Sequence, residues 1–239
     1  MAMTIKNWIT FGSVDCRTYK VYISGNGTFN SPERDVTKVS IPGRNGDIIL
    51  DNERYKNIDL KYPAFIAASF STNMQNFRNA MISKVGYQRL EDTYHPDEFR
   101  LARYKGGLDV KPLKSLKAGE FNITFDCKPQ RFLKSGETGV NFTTDGTISN
   151  PTLMTAKPLI RVTGNGTFAI QGTVITVANN QTYIDIDCET MEAYCGSTNM
   201  NANITLMSGK FPELASGSNA VAIGSGITQV TITPRWWIL

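Results

Sequence analysis

Histidine is almost absent from this 239-residue chain, with His95 the single copy, and that scarcity removes most relay and metal chemistry at once. A Ser-His-Asp or Cys-His relay would have to run through His95, which stands in a Tyr94-His95-Pro96-Asp97 turn among acidic neighbours with no nucleophile motif nearby. Cysteine is sparse as well. Cys16, Cys127, Cys188 and Cys195 form no Cys-x-x-Cys pair, so a zinc site would need thiolates gathered from distant segments. Free, mostly buried thiols are expected instead: Cys127 continues the Phe121, Ile123, Phe125 alternation, and Cys188 follows Ile184 and Ile186 in the same way. A Cys188–Cys195 disulfide is conceivable across a hairpin, and a reducing compartment argues against it.

Long apolar runs are missing too. The first 16 residues hold one lysine and nothing long enough for a signal-peptide core, and no later segment approaches the ~20 apolar residues of a spanning helix, so no membrane association is expected. No run of lysine and arginine stands out, and the net charge of +4 is mild, which argues against a dedicated nucleic-acid patch. Glycine clusters occur, as in the echo of Gly25-Asn26-Gly27-Thr28-Phe29 by Gly164-Asn165-Gly166-Thr167-Phe168, but neither copy has the strand-loop-helix setting of a phosphate cradle. Both read as tight turns that use positive φ, and no cofactor is expected.

What is present is a packed globular composition, 41% hydrophobic and 19% charged, in a chain long enough for one large or two ordinary domains. The segment SIPGRNGDIILDNERYKNIDLKYPAF carries a polar turn at residues 43–47, a second at 51–54, and an alternating strand over 55–62, which predicts a long β-hairpin over residues 39–62. In STNMQNFRNAMISKVG, Met74, Phe77, Met81 and Val85 recur at helical steps. Ser71, Thr72 or Asn73 would cap that helix, Lys84 would suit its C-terminal end, and Gly86 would stop it. With short strands at residues 20–23 and around Phe29, another over 99–104, and a last over 120–127 ended by Lys128-Pro129, the first half holds about six strands and one helix.

Past Phe132 the sequence turns Ser/Thr/Pro-rich and then settles into evenly spaced short strands with no helical period. Candidates lie at 159–162, 168–170, 173–177, 182–187, 191–194, 209–211, 219–223 and 229–232, a pattern that predicts a β-sandwich. The expected division is 1–132 and 133–239.

The order of these elements, together with the Arg89-Leu90-Glu91-Asp92 and Tyr94-His95-Pro96-Asp97 turns and the exit phrase FDCKPQRFLKSGE, resembles the distal tail protein (Dit) family of long-tailed phages and prophages of Gram-positive bacteria. The resemblance implies a mainly β protein: a β-sandwich-like ring-forming N-terminal domain with one α-helix and a long hairpin, then a galectin-like jelly roll. It implies a structural, non-enzymatic role as a homo-hexameric ring at the virion tail tip, assembled in the bacterial host cytoplasm. The partners implied are the major tail tube protein, the tail-associated hub protein, and beyond them the tape-measure and receptor-binding proteins. DNA would pass the ring without specific binding, since a strongly basic lumen would grip phosphates.

The hairpin is long for a self-contained sandwich, which assigns it to reaching over a neighbouring subunit. Arg44, Asn45, Gly46 and Asp47 at its turn, with Arg54 and Tyr55, are candidate subunit-interface residues. Glu91, Asp92, Tyr94, His95 and Asp97 form a second candidate set. The pairs Glu91-Asp92 and Asp97-Glu98 invite glycosidase chemistry, but adjacent residues of a strand face opposite sides, and partners such as Arg44, Arg54, Arg89, Arg100 or Arg103 suit them better. Trp236 and Trp237 raise the alternative of a carbohydrate-binding accessory module, although one ring of such a pair must face inward and the half that holds them has no histidine.

Overall fold

The computed structural model describes residues 7–25, 27, 29–108, 110–112, 118–178 and 181–239. The chain divides into two compact units, the first running to Arg131 and including Leu239, the second spanning Phe132–Ile238, and each has its own apolar core.

The first unit comprises β1 (Ile9–Phe11), β2 (Val14–Asp15), β3 (Val21–Ile23), β4 (Arg34–Val39), β5 (Ile48–Tyr55), β6 (Ile58–Ile66), α1 (Phe70–Ile82), β7 (Gln88–Asp92), β8 (Glu98–Tyr104), β9 (Val110–Pro112) and β10 (Gly119–Leu133). The main sheet runs β2-β1-β7-β8-β10-β6-β3. Its centre is set by two alternating strands. Ile58, Leu60, Tyr62, Ala64 and Ile66 of β6 point inward, and Phe121, Ile123, Phe125 and Cys127 of β10 meet them rung by rung, with Phe125 opposite Leu60 and Cys127 opposite Ile58. Three steps across a flat sheet would separate β1 from β10 by about 14 Å. The Phe11 and Phe125 rings nevertheless stand 5.0 Å apart, so the sheet curls around one core. Helix α1 closes it with Met74, Phe77 and Met81. Its Phe70 ring lies so close to Gly119 that a Cβ there would come within 2.3 Å.

Several expectations are corrected. The helix runs from Phe70 to Ile82, and Val85 lies beyond it, 86% exposed. Ser71, Thr72 and Asn73 fall inside the first turn; the N-cap is Ser69 with φ +46, and the Asn73 amide donates to the Ala68 carbonyl. Lys84 donates to the Ser13 hydroxyl, and Gly86, with φ +71, turns the chain toward β7. Pro129 does not end β10, because Cys127 opposite Ile58 is the last rung to β6 and the missing N–H breaks no bond on that side. Phe29 is 83% exposed and in no strand, while the Asn26 and Thr28 of the first glycine echo lie outside the described residues. Short strands β1, β2, β7 and β9, and the longer β4, were not among those expected.

The hairpin also differs. Its strands are β4 and β5, paired from Arg34 opposite Tyr55 to Val39 opposite Ile48. Residues 51–54, expected as a second turn, continue β5 through a bulge at which Glu53 takes φ +56. The strand that follows, β6, joins the main sheet instead.

The second unit is a sandwich built from β11 (Val140–Phe142), β12 (Gly146–Asn150), β13 (Leu159–Gly164), β14 (Gly166–Ile170), β15 (Thr173–Val177), β16 (Ile184–Asp187), β17 (Glu192–Cys195), β18 (Thr198–Asn199), β19 (Ile204–Leu206), β20 (Gly217–Ile223), β21 (Ile227–Thr233) and β22 (Trp237–Ile238). One sheet runs β11-β21-β13-β16-β17-β18 and the other β12-β20-β14-β15-β19. Ile160, Val162, Ile184, Ile186, Val230 and Ile232 from the first share a core with Phe168, Ile170, Ile175 and Val221 from the second. The strand expected at 209–211 is absent; the edge strand is β19, five residues earlier.

Candidate interaction surfaces

Strands β4 and β5 make a two-stranded ribbon that pairs with no other strand among the described residues. Paired residues share a face and successive rungs alternate, so Val39 with Ile48 and Thr37 with Leu50 lie on one side, and Lys38 with Ile49 on the other. The first side is the more apolar: Val39 and Leu50 are 40% and 53% exposed there, while Ile49, 62% exposed, lies beside Lys38 on the other. The ribbon is stiffened at its base by cross-strand ion pairs, Arg34–Asp51 at 2.7 Å and Arg54–Asp35 at 2.6 Å. Hydrogen bonds from these arginines hold the Asp51 and Asp35 carboxyls below the usual carboxylate range. Arg34 also stacks over the Tyr55 ring at 5.0 Å.

Arg44, Asn45, Gly46 and Asp47 sit at the ribbon's tip and are all exposed. Gly43 and Gly46 take φ near +80 with nothing near their Cα hydrogens, and the Arg44 N–H donates to Ile41. Arg54 and Tyr55 belong to its base, so the first candidate set spans the two ends of one element.

The second set forms the corner between β7 and β8. Tyr62 donates to Asp92 at 2.6 Å, and burial, followed by the Asp92 charge, pushes that phenol well up. Asp92 also accepts from the His95 backbone N–H at 2.8 Å, with the His95 Nδ1 at 3.2 Å. The Tyr94 hydroxyl donates to the Gly25 carbonyl, and Phe29 meets the His95 ring edge-on. Glu91 pairs with Arg89, and Glu98 with Arg131 at 2.6 Å. Asp97 is exposed. Glu91, Asp92 and Glu98 are engaged in the fold's own bonds, so the corner has the composition of a braced structural turn. No group of His, Cys, Asp and Glu able to hold a metal exists among the described residues.

Trp236 is 5% exposed in the second core, and Trp237 is half-buried with its indole N–H donating to the Thr155 carbonyl. Arg100, expected as a partner for the carboxylates of the β7–β8 corner, instead faces inward with Ala102 and Tyr104 and is buried. Burial draws its guanidinium pKa down, and its Nη1 has no hydrogen-bond partner among the described residues. Sequence reasoning missed the upstream strand of the ribbon, for which the alternation of Val36, Lys38 and Thr37, Val39 was the available signal.

Residues 14–127 match the family model of the phage tail protein RIFT-related domain. Among solved structures, the chain is similar to the Dit protein (gp 19.1) of SPP1, described as a paradigm of the hub adsorption apparatus in Gram-positive infecting phages. The TM-score is 0.73 at 13% identity, covering 98% of this chain and 100% of that one. No curated protein matches.

Proposed function

We propose, from the premise that this chain is a Dit-like phage tail protein, that copies of it close a homo-hexameric ring at the distal end of a phage tail. The observation that carries the proposal is the ribbon. A lone two-stranded hairpin is marginal in water, and this one presents an apolar side to solvent within its own chain. A neighbouring copy that covers it supplies the missing third layer. Repeated head-to-tail contacts of that kind terminate only by closing a ring.

In this role one face of the ring takes the tail tube and the other the tail-associated hub, and the second unit offers a platform for receptor-binding proteins. The role is structural. A net charge of only +4 suits a conduit that DNA traverses without being held. Mass photometry at micromolar protein, or imaging of assembled tails, is expected to give a sixfold particle. Arg44→Glu at the ribbon tip is expected to block assembly with unfolding unchanged within ~0.5 kcal/mol, since exposed turn substitutions cost little. A chain that stays monomeric in both settings removes the reading.

A further inference from the structure

The chain contains Asn-Gly steps at Asn26, Asn45 and Asn165, and an Asp-Gly step at Asp145. Such steps carry a reaction of their own. Glycine has no Cβ, so its backbone nitrogen can approach the preceding side chain closely enough to attack Cγ. The attack closes a five-membered succinimide only where that nitrogen is not tied into a hydrogen bond and the backbone on either side is free to rotate. Asn26 lies outside the described residues, and the other three steps divide sharply by these criteria.

Asn165 and Asp145 are locked. The Asn165 N–H donates to the Gly226 carbonyl at 2.9 Å, its own carbonyl oxygen lies 1.9 Å from where a Gly226 Cβ would stand, and Gly166 is paired with Val177 in the β14–β15 ladder. The Asp145 carboxylate accepts from the Ile223 N–H at 2.8 Å, and Gly146 is paired with Val221. Asn45 differs on every count. The ribbon's ladder ends at Val39 opposite Ile48, so Asn45 and Gly46 lie beyond its last rung. Both are exposed, and Gly46 has open space around its Cα. Neither the Asn45 side chain nor the Gly46 N–H has a hydrogen-bond partner among the described residues. The same ribbon shows the engaged alternative, since the Asp51 carboxylate accepts from the Glu53 N–H at 2.8 Å.

We propose that Asn45 is a site of spontaneous covalent modification, at which the folded chain converts its own asparagine to aspartate and isoaspartate. The Gly46 nitrogen gives its proton to hydroxide and attacks the Asn45 Cγ. The bond from Cγ to the side-chain nitrogen breaks, and that nitrogen takes a proton from water and leaves as ammonia. Water then opens the ring at one of two carbonyls. Breaking the new Cγ–N bond gives aspartate on the ordinary backbone, whereas breaking the original peptide bond leaves the chain running through Cγ as isoaspartate. The net reaction consumes one water and releases one ammonia, with no oxidant, reductant or cofactor. Arg44 and Asp47 balance each other in the unmodified tip, so the new carboxylate makes the tip net negative, and isoaspartate also lengthens its backbone by one methylene. An unassembled chain thus records its age at the tip of its ribbon. The chemistry is independent of the ring reading.

The test holds the folded full-length chain at 37 °C and pH 8, then digests samples with a lysine-specific protease at mildly acidic pH and maps the peptides by mass spectrometry. The peptide of residues 39–56, bounded by Lys38 and Lys56, is expected to lose its Asn45 amide progressively, with isoaspartate exceeding aspartate in the product, while Asn165 keeps its amide. In guanidinium the two sites should convert at similar rates, because both are Asn-Gly steps and only the fold separates them. Gly46→Ala, at a position with open space, should slow the loss at Asn45 by crowding the attacking nitrogen. An Asn45 that survives in the folded chain as long as Asn165 overturns the proposal. Conversion to aspartate alone, without isoaspartate, or at a rate unchanged by Gly46→Ala, overturns the succinimide route.

Discussion

Burial sorts the four thiols into two classes. Cys16, Cys127 and Cys188 sit in the two cores, and loss of hydration around the thiolate pushes each of their pKa values up to about 12. Cys195 is half-exposed. Ellman's reagent at pH 8 should therefore modify about one thiol in the folded chain and all four in guanidinium; four in the native protein would contradict the burial. A second residue-scale prediction concerns Asp187. Burial alone would raise its carboxyl, but two Arg235 hydrogen bonds of 2.8 Å, that residue's charge, and the Glu189 and Thr190 N–H groups outweigh it and leave the value depressed. A depressed carboxylate contributes stability that is full above its unfolded value, near 4, and lost as pH falls through the folded one. Asp187→Asn should thus cost about 2–3 kcal/mol at pH 7, discounted for the 31% exposure of Arg235, with the gap to wild type narrowing below pH 4 in thermal melts. Arg100 runs the other way. Its guanidinium is buried with an unpaired Nη1, so Arg100→Met should leave the melting temperature unchanged or raised.

At the scale of elements, the glycine echo shows how one sequence solution serves two settings. At Gly226, across from the second copy, an added Cβ would stand 1.9 Å from the Asn165 carbonyl oxygen, and one at Gly164 would stand 2.3 Å from the Gly226 carbonyl oxygen. Gly25 in the first copy faces open space. Gly226→Ala should cost several kcal/mol and Gly25→Ala only the ~1 kcal/mol of a left-handed residue, a contrast that paired denaturant titrations resolve. The residues alone made the strand alternations legible, because period-two burial is local: Phe121 to Cys127 point inward as read. The helix face was legible through Met81. Its end was not, because Val85 keeps the helical spacing after the helix has ended at Ile82, and spacing cannot see where a backbone stops. The ribbon was half legible for a related reason. Asp51, Asn52 and Glu53 have turn composition, yet cross-strand partners Arg34 and Asp35 hold them in a bulged strand, and those partners lie too far upstream for a local reading to pair them. The two interface sets were chosen by turn chemistry, whereas the apolar side of the ribbon emerges only once register is known.

At the scale of the whole chain, the division falls inside β10, between Arg131 and Phe132, with no flexible linker to mark it. Arg131 pairs with Glu98 in the first unit, while the Leu133 N–H donates to the Trp236 carbonyl, and the Arg235 N–H to Gly136, in the second. Gly136 is required there, since a Cβ would meet the Trp236 nitrogen at 2.3 Å. Trp236 thus belongs to the second core, and removing it would expose apolar surface worth a few kcal/mol at ~25 cal/mol per Å². A cut after Arg131 leaves each core complete, and 131 residues is an ordinary size for a domain that folds alone. The chain ending at Arg131 should therefore melt cooperatively and still assemble through its ribbon, and a chain starting at Phe132 should fold as a monomer. Calorimetry of the two fragments beside the full chain, with sedimentation to read assembly, checks both. If either fragment melts without a cooperative transition, the cores depend on each other, and the second unit is then part of the ring's own fold.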